Sequence, residues 1–128
     1  MTSPHPAAIT GVFPVLPTPF DAAGAPDPAS LATLVRYLLR CGVDGMTFPG
    51  VASEVATLSE AERAELTALV IREVAGRVPV VAGVSSNDAA VTLRLAKLAA
   101  GQGAAALMVA APATLKTAAE QIAHFQGL

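Results

Sequence analysis

The chain has 128 residues, of which 53% are hydrophobic and 14% charged, and its formal net charge is −2. That length suits one domain, and so apolar a composition excludes an intrinsically disordered chain. The 8 basic and 10 acidic residues leave no basic surface typical of nucleic-acid binding, and the single cysteine excludes a disulfide framework.

The N-terminus and the longest apolar runs give no sign of a membrane partner. Residues 1–6 lack the basic start and the apolar stretch of a signal peptide, and the apolar run 104–113 is too short to span a bilayer. We therefore expect a cytoplasmic protein.

His124 has no second ligand at metal spacing, so we expect no metal site and no cofactor. Cys41 is expected to be a small buried residue.

The first predicted unit is a short strand followed by a helix. Residues 12–16 are apolar, and the prolines of 17–20 end the predicted strand. Asp27 is a good N-cap, Pro28 suits the first helical position, and Gly42 ends the helix as a left-handed residue. A buried stripe with helical spacing is expected from Leu31, Leu34, Val35, Leu38 and Leu39.

The second predicted unit repeats this pattern. Residues 43–48 form the strand, which Pro49-Gly50 closes. Ser59 and Glu62 form a capping box that opens the helix, and Gly76 ends it. The buried stripe of this helix is expected from Leu66, Leu69, Val70 and Val74.

Two further units follow. Residues 78–84 form the clearest strand, Ser86 or Asn87 is expected to cap the third helix, and Gly101 and Gly103 are expected to close it. Residues 106–111 form the fourth strand, which ends at Pro112. Thr117 and Glu120 then make a capping box that opens a fourth helix.

The alternation of strands and helices with short links predicts parallel strands joined by right-handed crossovers. Two architectures fit this order: an open doubly wound sheet, or part of a (β/α)8 barrel. Both place functional groups in the loops at the carboxyl ends of the strands. Those loops are residues 17–20, 49–54, 83–87 and 111–114.

Several short motifs in this order carry a family resemblance. They are Thr18-Pro19-Phe20, Gly42-Val43-Asp44-Gly45, Gly50-x-x-x-Glu54, Leu58-Ser59-x-x-Glu62-Arg63, and Gly76-Arg77-Val78-Pro79-Val80-Val81-Ala82-Gly83 followed by Asn87. The ordered set resembles the dihydrodipicolinate synthase / N-acetylneuraminate lyase family. The resemblance extends from Gly11 to about Phe125 and implies that residues 11–128 are the N-terminal half of such a barrel, after a flexible N-terminus at 1–10.

The resemblance also implies a chemistry. Members of this family bind pyruvate or another 2-keto acid as a Schiff base on a lysine of the sixth strand, and this chain reaches only four strands. Lys97 and Lys116 fall on or beside predicted helices and are expected to be solvated surface residues. We therefore predict no catalytic residue in this chain.

The loop Gly50-Val51-Ala52-Ser53-Glu54 matches a family loop usually written Gly-Thr-Thr-Gly-Glu. The resemblance implies that this loop holds the keto-acid carboxylate. Because Val51 and Ala52 replace the two threonines, only backbone donors remain, and clustered N–H groups still bind an anion. We predict substrate binding by Gly50, Val51 and Ala52, with a loop that only packs under the barrel mouth as the alternative. Ser53 offers a hydroxyl one residue later, and Glu54 is expected to be a structural carboxylate that binds loop N–H groups.

The family usually has Pro-Tyr-Tyr where this chain has Pro112-Ala113-Thr114, so the phenol of a proton relay is missing. Three hypotheses follow. The first is a truncated or partial Schiff-base lyase, either 4-hydroxy-tetrahydrodipicolinate synthase-like or a sugar-acid aldolase or dehydratase. The second is a non-catalytic half-barrel interaction module, and the third is an open doubly wound domain that binds a small anion. The expected partners are a small-molecule 2-keto acid and either further copies of the chain in a homo-oligomer or a complementing chain.

Overall fold

The computed structural model describes residues 8–128. In this part of the chain, helices and strands alternate as predicted. The elements are α1 (Pro28–Cys41), β1 (Met46–Phe48), α2 (Glu60–Val74), β2 (Val80–Gly83), α3 (Ala89–Gln102), β3 (Ala106–Met108) and α4 (Ala118–Gln126). The first seven residues of the predicted flexible N-terminus, 1–10, lie outside the described residues, so that segment stays a prediction.

The three strands form a parallel sheet in the order β1-β2-β3. The segment 12–16 runs parallel beside β1, but it forms only an isolated bridge between Val15 and Thr47. Thr47 N–H donates to the Pro14 carbonyl at 2.9 Å, and Leu16 N–H donates to the Thr47 carbonyl at 3.0 Å. The prediction of a regular strand over 12–16 is therefore wrong, because Pro14 has no N–H and Val12 N–H donates to the Asp44 carboxylate.

The other strands are shorter than predicted, and specific hydrogen bonds divert their ends. The strand predicted over 43–48 begins at Met46, because the N–H groups of Asp44 and Gly45 both donate to the Val12 carbonyl. The strand predicted over 106–111 ends at Met108, since Ala110 N–H donates to the Ser85 hydroxyl at 2.8 Å. The strand predicted over 78–84 is reduced to Val80–Gly83.

The helix starts follow local capping chemistry. The Asp27 carboxylate accepts from the hydroxyl and the N–H of Ser30, and these bonds lower the pKa of Asp27. The capping boxes of Ser59 with Glu62 and of Thr117 with Glu120 are present as predicted.

Four details of the helices differ from expectation. Asp88 caps α3 in place of Ser86 or Asn87, because its carboxylate accepts from Ala90 N–H at 2.8 Å. Gly101 lies within α3, and Gly103 alone caps its end. The left-handed residue directly after α2 is Ala75, at φ 51°, one position before the predicted Gly76. Cys41 is exposed, because it is the last residue of α1.

The helices α1, α2 and α3 cover one face of the sheet. Met46 and Phe48 of β1 and Val80 and Ala82 of β2 are buried on that face. They pack against apolar side chains of α1, α2 and α3, among them Leu31, Val35, Leu66, Val70, Leu95 and Ala99. Each buried Leu or Val of this layer stabilises the fold by about 1.5–3 kcal/mol.

The strands lie side by side in chain order, with the first segment next to β1 and β3 at the far edge. A doubly wound sheet reverses its strand order at a switch point. No reversal occurs within residues 8–128, so the winding is that of a barrel. None of the helices in this range is both long and apolar enough to cross a bilayer.

Gly83 marks a close approach between β2 and the loop that follows β1. A Cβ at this position would overlap the carbonyl oxygen of Pro49. We predict that Gly83→Ala destabilises the protein by about 1–3 kcal/mol, because the loop must shift to relieve the overlap. Urea unfolding followed by circular dichroism measures the change.

Gly101→Ala is the matched control. No atom lies within 4 Å of a Cβ built at Gly101, which is helical. The free energy of unfolding should therefore rise by about 0.5–1 kcal/mol. A Gly83→Ala variant as stable as the Gly101→Ala variant would contradict the close approach.

Candidate functional site

Residues at the carboxyl ends of β1, β2 and β3 line a cleft of about 280 Å³. Two of the four predicted loops, 49–54 and 83–87, contribute to its lining, and the loop 17–20 contacts the first of these through Thr18. Residues that line it from these loops and strand ends include Pro49, Gly50, Gly83, Ser85 and Met108. The parallel order of the strands thus brings the predicted strand-end loops together.

Ser53 anchors the loop that follows β1. Its side chain is fully buried; the hydroxyl accepts from Gly50 N–H at 2.9 Å and donates to the Leu16 carbonyl. The Thr18 hydroxyl in turn donates to the Ser53 carbonyl at 2.7 Å. Because the Ser53 hydroxyl already accepts one hydrogen bond and donates another within the protein, it is not available to relay a proton to a substrate. Its role is to tie the first and second strand-end loops together.

This anchoring leaves the two residues between Gly50 and Ser53 exposed. Val51 and Ala52 begin a 3₁₀ turn over Val51–Ser53, and within the described residues their N–H groups donate to no backbone or side-chain acceptor. The Val51 side chain is 93% exposed. The Gly50 N–H, by contrast, is committed to Ser53. Of the three predicted substrate-binding residues, Val51 and Ala52 therefore carry the free donors, and Gly50 supplies the turn.

Glu54 follows this turn in a left-handed conformation at φ 55°. Its side chain is exposed, and none of the hydrogen bonds of the described residues involves its carboxylate. The expectation that this carboxylate binds loop N–H groups is therefore wrong. The backbone carbonyl of Glu54 stabilises the next turn instead, since it accepts hydrogen bonds from both the N–H and the hydroxyl of Thr57.

Arg63 is a buried cation beneath the cleft. It is 8% exposed, its Nη2 lies 3.4 Å from the Gly83 carbonyl oxygen, and its Nε is buried without a partner among the described residues. Burial lowers the pKa of Arg63. The nearby Glu60 is held by Arg94 through two hydrogen bonds of 2.8 and 3.0 Å, which lower the pKa of Glu60. The guanidinium of Arg63 thus adds positive charge to the floor of the cleft.

The sequence interpretation named Arg63 in a motif but gave it no role. The signal was its spacing: Arg63 precedes Leu66, Val70 and Val74 at helical intervals, on the buried stripe of α2. A cation on an apolar stripe predicts a buried charge, and a buried charge indicates a functional residue, because Arg is rarely buried without a partner.

The lysines and the fourth loop contribute no reactive group to the cleft. Lys97 is exposed in the middle of α3, as expected. Lys116 lies just before α4, where its Nζ donates to the Ala113 carbonyl at 2.7 Å. Ala113 and Thr114 are exposed, and neither carries a phenol. Within residues 8–128 no group of three His, Cys, Asp or Glu side chains is arranged to hold a metal ion.

Comparison with protein families gives a match over almost the whole chain. The model described as the dihydrodipicolinate synthetase family matches residues 8–127. A 4-hydroxy-tetrahydrodipicolinate synthase of Stenotrophomonas maltophilia (strain R551-3) is 37% identical over 122 residues, which are 94% of this chain and 41% of that relative. The enzyme of the same name from Bacillus subtilis (strain 168) is 38% identical over 112 residues, which are 87% of this chain and 39% of that relative.

Solved structures agree with the sequence matches. YagE, a prophage protein of the dihydrodipicolinic acid synthase family from E. coli K12 determined in complex with pyruvate, has a TM-score of 0.88 at 34% identity. The match covers 94% of this chain and 41% of YagE. The chain therefore spans about 40% of the length of its relatives, and the expected fold class, the first (β/α)4 half of a TIM barrel, is confirmed.

The Ser53 hydroxyl gives a test of the loop anchor. We predict that Ser53→Ala destabilises the protein by about 1–3 kcal/mol, because the buried Gly50 N–H and Leu16 carbonyl lose their partner. Thermal unfolding measures the loss. Thr33→Ala is the control, since its exposed hydroxyl only bonds back to the Ala29 carbonyl, and it should change stability by less than about 0.5 kcal/mol. Equal effects of the two substitutions would show that Ser53 is not an anchor.

Proposed function

The chain belongs to the dihydrodipicolinate synthetase family, and on that premise we propose that it supplies the carboxylate-binding side of a site for pyruvate or a related 2-keto acid. The observation that carries the proposal is the pair of free N–H groups at Val51 and Ala52, at the carboxyl end of β1. A carboxylate accepts hydrogen bonds from such clustered N–H groups without any side-chain donor.

Two further features support an anion at this point. The hydroxyl of Ser53 fixes the backbone of the turn, so little conformational freedom is lost when a ligand binds. The buried guanidinium of Arg63 lies in the lining of the same cleft and forms no ion pair with a described carboxylate. Its charge favours an anionic ligand over a neutral one.

The covalent chemistry of the proposed activity requires an amine that the described residues do not bring to the cleft. Lys97 and Lys116 lie on or beside helices, and the latter is bonded to a carbonyl. We therefore propose a Schiff-base lyase, either 4-hydroxy-tetrahydrodipicolinate synthase-like or a sugar-acid aldolase or dehydratase, whose reactive lysine comes from another part of the complete barrel. A non-catalytic half-barrel module is the alternative, and keto-acid binding without turnover in the complete assembly favours it.

Partner strands form part of the proposal. The outer edge of β3 and the segment 12–16 are the two edges of the described sheet. On its open face and at these edges, Val15 is 39% exposed and Met108 is 40% exposed. Open edges and uncovered apolar faces favour pairing with further strands, so we propose that another copy or a complementing chain covers them.

A cytoplasmic location is likewise a proposal. The single cysteine supports it, because it excludes the dense intrachain disulfides on which many small secreted domains depend.

The free N–H of Val51 is the basis of the first test. Val51→Pro removes this donor, and the extended conformation of Gly50, at φ −135° and ψ −167°, accommodates a following proline. We predict that the dissociation constant for pyruvate, measured by NMR titration, rises by about 10- to 100-fold, equivalent to the loss of one charge-assisted hydrogen bond. Val51→Ala keeps the N–H and should bind pyruvate as the unmodified chain does. Unchanged affinity in Val51→Pro would favour the alternative of a loop that only packs.

The open sheet edges are the basis of the second test. We predict that this 128-residue chain associates in a concentration-dependent manner, seen as a rising mean mass in size-exclusion chromatography with light scattering. Its thermal transition should move upward with concentration, as linkage requires for an associating species. A single monomeric peak with a transition independent of concentration would exclude self-association of the chain.

A further inference from the structure

Two polar side chains line the cleft apart from the turn that follows β1. They are Arg63 of α2 and Ser85 of the loop after β2. Since β2 lies between β1 and β3, neither side chain belongs to the open edges at which we propose that partner strands pair. The backbone holds both at this end of the sheet. The Arg63 Nη2 lies 3.4 Å from the Gly83 carbonyl oxygen, and the Ser85 hydroxyl accepts from Ala110 N–H at 2.8 Å.

Both side chains keep hydrogen-bond donors that have no partner among the described residues. The Ser85 oxygen accepts the bond from Ala110, but its O–H donates to no atom of residues 8–128. The Arg63 Nη1 takes part in none of the hydrogen bonds of this range, and among the guanidinium nitrogens only Nε is both buried and unpartnered. Nη1 therefore keeps accessible surface. A covered guanidinium of this kind is costly unless an anion pairs with it.

The nearby carboxylates do not supply that anion. Glu60 is held by Arg94 through two hydrogen bonds, and the Glu62 carboxylate accepts from Ser59 N–H at 2.8 Å. Within residues 8–128, the lining of the cleft includes no aspartate or glutamate. The counter-ion that Arg63 lacks is therefore expected to come from a ligand, and the free O–H of Ser85 offers that ligand a second donor.

From this arrangement we propose that the cleft selects a 2-keto acid whose chain ends in a second carboxylate, which the Arg63 guanidinium and the Ser85 hydroxyl bind. The inference rests on the proposed function, in which the N–H groups of Val51 and Ala52 hold the first carboxylate. These two pairs of donors lie at the ends of the neighbouring strands β1 and β2.

The spacing of the strands indicates the length of the acid. Neighbouring strands of a sheet lie about 4.8 Å apart. Four carbon–carbon bonds separate the two carboxyl carbons of 2-oxoglutarate, and at about 1.5 Å each they span about 5 Å when extended. The five-carbon acid therefore matches the separation of the two strand ends, with one carboxylate at each.

Two ligands of equal length separate the effect of the second carboxylate from that of the carbon chain. 2-Oxoglutarate and 2-oxopentanoate both have five carbons, but only the former ends in a carboxylate. We expect 2-oxoglutarate to bind about 10- to 100-fold tighter in an NMR titration of the chain, as one charge-assisted hydrogen bond provides. The amide signal of Val51 reports on the turn and should shift with both acids. The amide of Ala110 donates to the Ser85 oxygen, so its signal should shift with 2-oxoglutarate alone.

Matched variants of two neighbouring serines test the hydroxyl. Ser85→Ala removes it and should lower the affinity for 2-oxoglutarate by about five- to tenfold, with no change for 2-oxopentanoate. Ser85→Thr keeps an O–H and should retain the preference. Ser86→Ala is the control, because the Ser86 hydroxyl also accepts a backbone N–H, that of Asp88 at 3.2 Å, but Ser86 does not line the cleft. It should leave both affinities unchanged.

The outcomes separate this inference from the proposed function. If both five-carbon acids bind equally, recognition of a second carboxylate is wrong and the carboxylate site at the turn stands. An equal loss in Ser85→Ala and Ser86→Ala would also contradict the inference. If neither acid binds and pyruvate does not bind either, the site at the turn is wrong and the inference fails with it. Should Ser85→Ala fail to fold, the comparison of the two acids on the unmodified chain still decides.

Discussion

The alignment of the site rests on the backbone of one residue, Thr47. Its N–H and carbonyl bind Pro14 and Leu16, and so fix the register of the N-terminal segment against β1. Since this segment leads directly into the first strand-end loop, its register places Leu16 and Thr18 within reach of Ser53. A shift of one residue would turn each side chain of the segment to the other face of the sheet and would break both contacts with Ser53.

The sequence predicted best those features that depend on local chemistry. The capping residues Asp27, Ser59 and Thr117 each accept from the N–H group three positions later, so the sequence alone predicts these contacts. The lengths of the strands were harder to predict, because the hydrogen bonds that end them come from distant segments. The Ser85 hydroxyl, for example, ends β3 because it accepts a hydrogen bond from the N–H of Ala110, 25 residues later.

In the candidate site, too, the local features were predicted and the long-range contacts were not. The family resemblance indicated the turn at Gly50, Val51 and Ala52, and the structure adds which of its N–H groups are free. The anchoring role of Ser53 depends on its contact with Leu16, 37 residues earlier, and no spacing rule predicts such a contact. This chain has Val51 and Ala52 where the family loop usually has two threonines, and its Ser53 hydroxyl fixes the backbone beneath the turn.

Arg63 forms no ion pair within the described part of the chain, and its burial affects how the cleft responds to salt. Ions of the solvent screen exposed charges strongly but reach a covered guanidinium poorly. The proposed attraction of the cleft for anions should therefore persist at ionic strengths that abolish the effect of surface residues such as Arg72 or Lys97. A chain with a net charge of −2 repels anions weakly at long range, so this buried cation provides a local field of the opposite sign at the one place where an anion is expected.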